Sequence, residues 1–183
     1  MPAQVDIWEM DMDQSGDTDR ASRTTAAWRA AGERGDVEAA DRCLAPGIEL
    51  ISPLTASFRF RGRDQVRDVL AAAFGVISDI RYHTEVGDAA TRALFYRGRC
   101  GQEQFEEAQL VRLDPDGLII ELTLFGRPLP GVTAVMAEIG PALLRRQGRP
   151  GRARVVAAAT KPLAAMTRLG EAHLVPLAKP AGG

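Results

Sequence analysis

Few side chains in this 183-residue sequence could do chemistry, and their spacing narrows what that chemistry is. His83 and His173 are the only histidines, and Cys43 and Cys100 the only cysteines. None falls in a Cys-x-x-Cys, His-x-x-x-His or His-Glu-x-x-His pattern, so no zinc site is expected, nor any other metal or cofactor. Both cysteines read as free thiols that are inert when buried. The acid–base candidates are Glu107 and Gln109, which share one face of a strand-like run from Phe105 to Leu113. If that face turns inward among Ile120, Leu122 and Leu124, desolvation raises the carboxyl pKa and makes Glu107 a base; if the strand is bulged or at an edge, Glu107 is solvated.

The elements that would carry these residues can be read by period. Thr24, Ala27, Trp28 and Ala31 have helical spacing, with Gly32 and Gly35 as a stop. Asp36 caps a second helix whose apolar face is Val37, Ala40 and Leu44, ended by Pro46-Gly47. A short strand from Ile48 to Ser52 and the alternating Phe58-Arg59-Phe60 follow. The third helix carries a continuous stripe of Val66, Val69, Leu70, Ala73 and Phe74. Next, Ile80, Tyr82 and Val86 alternate with Arg81, His83 and Glu85, predicting a strand with one wet face. Strands over 93–100, 105–113 and 118–125 complete a bent antiparallel sheet, the last two joined by the turn Asp114-Pro115-Asp116-Gly117. The expected class is α+β, with three helices packed on one face of the sheet.

Composition sets the outer bounds. With 45% hydrophobic and 26% charged residues the chain is of globular type, and a net charge of -1 argues against a nucleic-acid binder. No apolar run of ~18 residues occurs and the N-terminus is acidic, so neither a membrane span nor a signal peptide is expected, and a cytoplasmic location is. Charge is nevertheless segregated. Every charged residue from 1 to 19 is acidic; every one from 142 to 170 is basic. Hence three parts are expected: an acidic flexible arm (1–19), the domain (20–130) and a helical basic extension (131–183). The extension carries a stripe of Val132, Val135, Met136, Ile139 and Leu143 that Gly140-Pro141 should kink, and a second stripe of Val155, Val156, Ala159, Leu163 and Met166 that Pro162 should interrupt. Docking on its own domain or on a second copy suits it best. Membrane contact is not expected, because the stripe lacks a Trp or Phe anchor, and no aromatic interleaves the arginines as a nucleic-acid groove would require.

Several of these features, in their order, resemble a known family. Trp28, Gly35-Asp36, Leu44-Ala45-Pro46, Ser52-Pro53, Gly62-Arg63-Asp64 before a helix and Asp116-Gly117 before a final strand resemble the nuclear transport factor 2-like superfamily over residues 20–130. The closest flavour is the SnoaL-like polyketide cyclase group, with ketosteroid isomerase and limonene-epoxide hydrolase as distant relatives. The resemblance implies a cone-shaped curved sheet wrapped on helices, an apolar pocket for a small apolar ligand, and a homodimer. It places Trp28, Ser52, Tyr82, Ile120, Leu122 and Leu124 on the pocket wall and leaves Tyr96, Arg97 and Arg99 near it. Ser52 falls where the isomerase has its aspartate base, Trp28 where it has its oxyanion-binding tyrosine, and Gln109 where it has a protonated aspartate and the cyclase its acid/base. Leu124 falls near the position of the hydrolase aspartate. Serine, indole and amide cannot replace those proton carriers. The catalytic candidates are therefore Glu107 and Gln109, for isomerase- or cyclase-type acid–base chemistry. The alternative is a non-catalytic dimeric interaction module that uses the basic extension.

Overall fold

The structure, a computed structural model, describes the backbone of residues 7–180 and the side chains of residues 16–180. Helix α1 spans Ile7–Arg34, so residues 7–19 of the expected arm form its first turns, while residues 1–6 lie outside the described residues. Gly32 does not stop α1; Gly35 does. It takes φ +66°, and the Asp36 amide reaches back to the Ala31 carbonyl at 2.9 Å. Asp36 then caps α2 (Val37–Asp41) by accepting from the Ala39 amide at 2.9 Å.

Leu44 departs from expectation. It opens strand β1 (Leu44–Ile51), fully buried, rather than closing the second helix. The reason is tertiary: the Cys43 carbonyl accepts from the Ile119 amide at 2.9 Å, and Leu44 pairs with Ile119 in parallel register. Pro46 and Gly47 fall inside β1, where the register with its partner shifts between Leu44 and Glu49 and no ladder donor is needed.

Strand β2 is the short Phe60–Arg61 pair, and α3 (Arg63–Phe74) follows with Val66, Val69, Leu70 and Ala72 buried. Then come β3 (Ile77–Gly87), β4 (Thr91–Cys100), β5 (Glu103–Leu113) and β6 (Ile119–Arg127). The six strands form one sheet in the order β2-β1-β6-β5-β4-β3, antiparallel except for β1 beside β6.

Two strands break the period on which the sequence reading relied. In β3 the register shifts twice, at the positive-φ residue Asp79 and again between Tyr82 and Thr84. The second shift swaps the faces, leaving Val86 56% exposed and turning Glu85 towards α1. In β6 the register shifts opposite Arg112 and Leu113, so Ile119 and Leu122 point inward and Ile120 points out, 38% exposed. Ile120 is therefore not on the inner face.

The chain continues into α4 (Leu129–Arg146) and α5 (Pro150–His173), an antiparallel pair. Pro162 does not interrupt α5, and α4 runs unbroken through Pro141. A proline removes one backbone bond, and packing of the neighbouring helix compensates for it. The pair docks on its own domain. A Cβ on Gly131 would meet the Phe105 Cβ at 2.5 Å, so only glycine lets α4 lie this close to β5. Arg146 reaches Asp68 of α3 at 3.8 Å, Arg168 reaches Glu103 of β5 at 2.6 Å, and the Thr133 and Thr167 hydroxyls tie the two helices at 2.6 Å.

At the other end, Glu85 fastens α1 to the sheet. It accepts from the Thr25 hydroxyl at 2.7 Å, from Arg92 at 2.7 Å and from Arg29 at 3.0 Å. Burial pushes this carboxyl up, but the three hydrogen bonds outweigh it and hold the pKa below the usual value. A depressed folded-state pKa contributes stability above the unfolded carboxyl value, and that contribution is lost as pH falls through the folded one. Glu85→Gln should therefore cost about 1–3 kcal/mol at pH 7, or roughly 3–10 °C in Tm, with the gap from wild type closing below about pH 4. Thermal melts of both proteins from pH 3 to pH 8 measure this.

Candidate functional site

The concave face of the sheet and helices α1, α3, α4 and α5 enclose a cavity of about 250 Å³. Register decides what reaches it. One cross-strand row on the inner face is Tyr82–Tyr96–Glu107–Gly126; the next is Leu94–Gln109–Leu124. The strand alternation that paired Glu107 with Gln109 in the sequence thus sets both on the inner face, 8% and 7% exposed. Gly126, opposite Glu107, carries no side chain, and Val132 of α4 fills that place, its Cγ2 2.8 Å from where a Cβ would stand.

Four side chains surround the Gln109 amide or the carboxyl beside it. The Trp28 indole donates to Gln109 Oε1 at 2.9 Å, and the Tyr82 hydroxyl donates to the same oxygen at 2.9 Å. An indole N–H can only donate, so the amide oxygen must face Trp28 and the amide nitrogen must point away. That nitrogen donates to Glu107 Oε1 at 3.2 Å, and the Tyr96 hydroxyl acts on the same carboxyl, holding its pKa down against burial. Tyr82 and Tyr96 lie with ring centres 5.3 Å apart. Gly32 makes room for this arrangement: a Cβ there would meet the Tyr82 ring at 3.2 Å.

Glu107 has the shifted pKa of a proton carrier. Burial pushes it up to about 7, against the opposing hydrogen bonds from Gln109 and Tyr96. Burial also raises both tyrosines, with the Glu107 charge adding to it, so each hydroxyl keeps its proton as a donor. At neutral pH one group in the cavity can therefore exchange a proton while fixed donors hold it in place.

The other expected residues are placed as follows. Trp28, Ser52, Tyr82, Leu122 and Leu124 line the cavity; Ile120 does not. Ser52 accepts from the Leu54 amide at 3.2 Å and shapes a turn. Arg97 and Arg99 belong to the outer face, where they reach Glu106 at 3.5 Å and Asp79 at 3.8 Å. His83 also faces outward, 3.0 Å from Glu106. Sequence reasoning missed the wall supplied by the extension: Val132, Val135, Met136, Ile139 and Leu143 of α4, with Val156 and Thr160 of α5, line the same cavity. Their stripe was visible in the sequence, but nothing local said what it faced. Among the described residues no group of His, Cys, Asp and Glu could hold a metal ion. Nor is any helix there long and apolar enough to cross a membrane.

This inner-face geometry on a curved six-stranded sheet can be set against known proteins. Residues 25–122 match the SnoaL-like domain family. The chain belongs to that family. This SnoaL-like domain has the nuclear transport factor 2-like fold that its sequence resembles. It is similar to a steroid delta-isomerase from Pseudomonas aeruginosa, with 27% identity and a TM-score of 0.65 over 70% of this chain and 95% of that one. It is also similar to an uncharacterised bacterial protein with a cystatin-like fold from Silicibacter pomeroyi, with 26% identity and a TM-score of 0.61 over 70% and 88%. A Jannaschia protein assigned as a SnoaL-like polyketide cyclase shares the fold, with 15% identity and a TM-score of 0.55 over 74% and 97%. No curated protein matches. The family match ends at residue 122, so α4 and α5 lie beyond it.

Because the Glu107 pKa is raised by folding, its contribution to stability is present below the unfolded carboxyl value and lost as pH rises towards 7. Relative to Glu107→Gln, the wild type should lose on the order of 3 kcal/mol between about pH 4.5 and pH 8. Urea unfolding of the pair across that range measures the difference.

Proposed function

We propose that the cavity binds a small apolar carbonyl compound and that Glu107 moves a proton within it, as an isomerase or cyclase does. The observation that carries this reading is a single carboxyl, poised near pH 7, in a cavity otherwise walled by apolar side chains and neutral donors. The carboxylate takes a proton from a carbon next to the carbonyl and returns it at a second carbon or the oxygen. Tyr96 and Gln109 hold the carboxylate in place. As Glu107 takes the proton, its claim on Tyr96 weakens, and that hydroxyl becomes free to stabilise negative charge developing on the substrate oxygen. Gln109 positions the base and does not shuttle protons. The similarity to a steroid delta-isomerase supports the reaction class, although Ser52 replaces the base expected at that position and Glu107 works from another wall.

The assay is solvent deuterium exchange into a panel of small enones, followed by NMR. Wild type should exchange with an ascending pH profile whose midpoint is near 7, and Glu107→Gln should lose roughly a hundredfold or more. Exchange surviving that substitution within about threefold would show that Glu107 is not the base.

The same reading extends to a homodimer formed through the outer sheet face. There Phe95, Ala108 and Phe125 lie in one cross-strand row, with Phe125 55% exposed, beside the charged row Arg97–Glu106–Arg127. Sedimentation should give a dimer for the wild type and a monomer for Phe125→Asp.

A further inference from the structure

Helix α5 turns one face to α4 and the cavity and leaves the opposite face without a partner. The inner face is Ala153, Val156, Thr160, Ala164 and Thr167. The outer face carries Val155, Ala159, Pro162, Met166 and Leu169, spaced by four and three residues, which keeps them on one line of a helix. Val155 is 70% exposed, Met166 68% and Leu169 59%, and exposed Leu174 and Leu177 extend the apolar surface. Arg154, Lys161 and Arg168 recur every seven residues along one flank. Arg145, Arg149 and Arg152 cluster at the turn that joins α4 to α5. Of the basic residues between 142 and 170, only Arg146 and Arg168 have acidic partners among the described residues.

We propose that this outer face of α5 docks on an anionic lipid surface. An exposed apolar line flanked by Arg154 and Lys161, neither with an acidic partner among the described residues, matches the boundary between acyl chains and negatively charged headgroups. The same helix of a second copy does not match it. No acidic residue lies between 142 and 170, so pairing two such helices sets cations against cations in either direction. Nucleic acid would satisfy the arginines but leave the apolar line in water. The lack of an aromatic anchor weighs against a helix that must fold and insert alone. Here α4 already holds α5 helical, so the ordering cost is met before contact and a shallow insertion suffices. The opposite face of the same helix lines the cavity through Val156 and Thr160, so the docked surface lies one helix diameter from the ligand space.

Flotation of the full chain with vesicles of phosphatidylcholine, with and without phosphatidylglycerol, tests the proposal at low and high salt. Binding is expected only with phosphatidylglycerol and should weaken as salt rises. The double variant Arg154→Gln/Lys161→Gln should bind about twenty-five-fold more weakly, roughly fivefold per cation. Met166→Asp should abolish binding while leaving the thermal melt unchanged. Equal binding to both vesicle types, or undiminished binding by the double variant, would overturn the proposal. So would failure to bind either vesicle, and capture by polyglutamate in that case would reassign the face to an acidic protein partner.

Discussion

The side-chain amide of Gln109 is the point on which the interior of this protein turns. It sits in a part of the chain where an unpaired polar atom costs about 1–3 kcal/mol, and it has donors and acceptors to satisfy on both ends. Trp28 of α1 and Tyr82 of β3 both donate to its oxygen, so one group on β5 sets the distance from the first helix to the sheet and the position of the third strand. Since the oxygen is thereby taken, the nitrogen can only point at Glu107. The orientation of the carboxyl follows from the orientation of the amide, and that follows from an indole that cannot accept. An aspartate at this position would face the same two donors but could offer Glu107 no donor while ionised.

Much of this was legible in the sequence. The stripe of α3, the tight turn before β6 and the shared parity of Glu107 and Gln109 follow from periods of 3.6 and 2.0, which local sterics impose. What was not legible is where a period breaks. A bulge costs one residue and leaves no reliable mark in composition, yet it inverts every side chain beyond it. Glu85 and Val86 exchanged faces for this reason, and Ile120 left the pocket wall. Leu44 shows the other limit: its apolar character suited a helix face or a strand equally, and the parallel pairing with Ile119, seventy-odd positions away, decided between them. Gly32 looked like a helix stop, but its lack of a Cβ serves Tyr82.

The substitutions at Trp28, Ser52 and Gln109 carry a consistent physical meaning when taken together. Each stands where the sequence resemblance leads one to expect a proton carrier, and each is a group that can donate or accept a hydrogen bond but does not titrate near neutrality. A cavity altered in this way has few means of proton transfer, and a second carboxyl on the inner face gains weight accordingly. Glu107 lies on the same face as Gln109, one residue pair along β5, so the change of base needs no change of fold. The proposed chemistry thus moves within the cavity while the cavity itself stays.

The appended helices bear on that chemistry through water. Glu107 is opposite Gly126 in the sheet, and Val132 of α4 packs over Gly126 so closely that a Cβ there would meet its Cγ2 at 2.8 Å. Its raised pKa comes first from burial, and at that corner Val132 of α4 adds to the cover that the strands give. Gly131 allows α4 to sit that low on β5, and α5 holds α4 down through Thr167 and the Arg168–Glu103 pair. A segment outside the family match therefore helps to set the dielectric around the carboxyl of the cavity. Lifting α4 would admit water, lower the Glu107 pKa towards that of an ordinary carboxyl and make it a weaker base, even with every residue of the sheet in place.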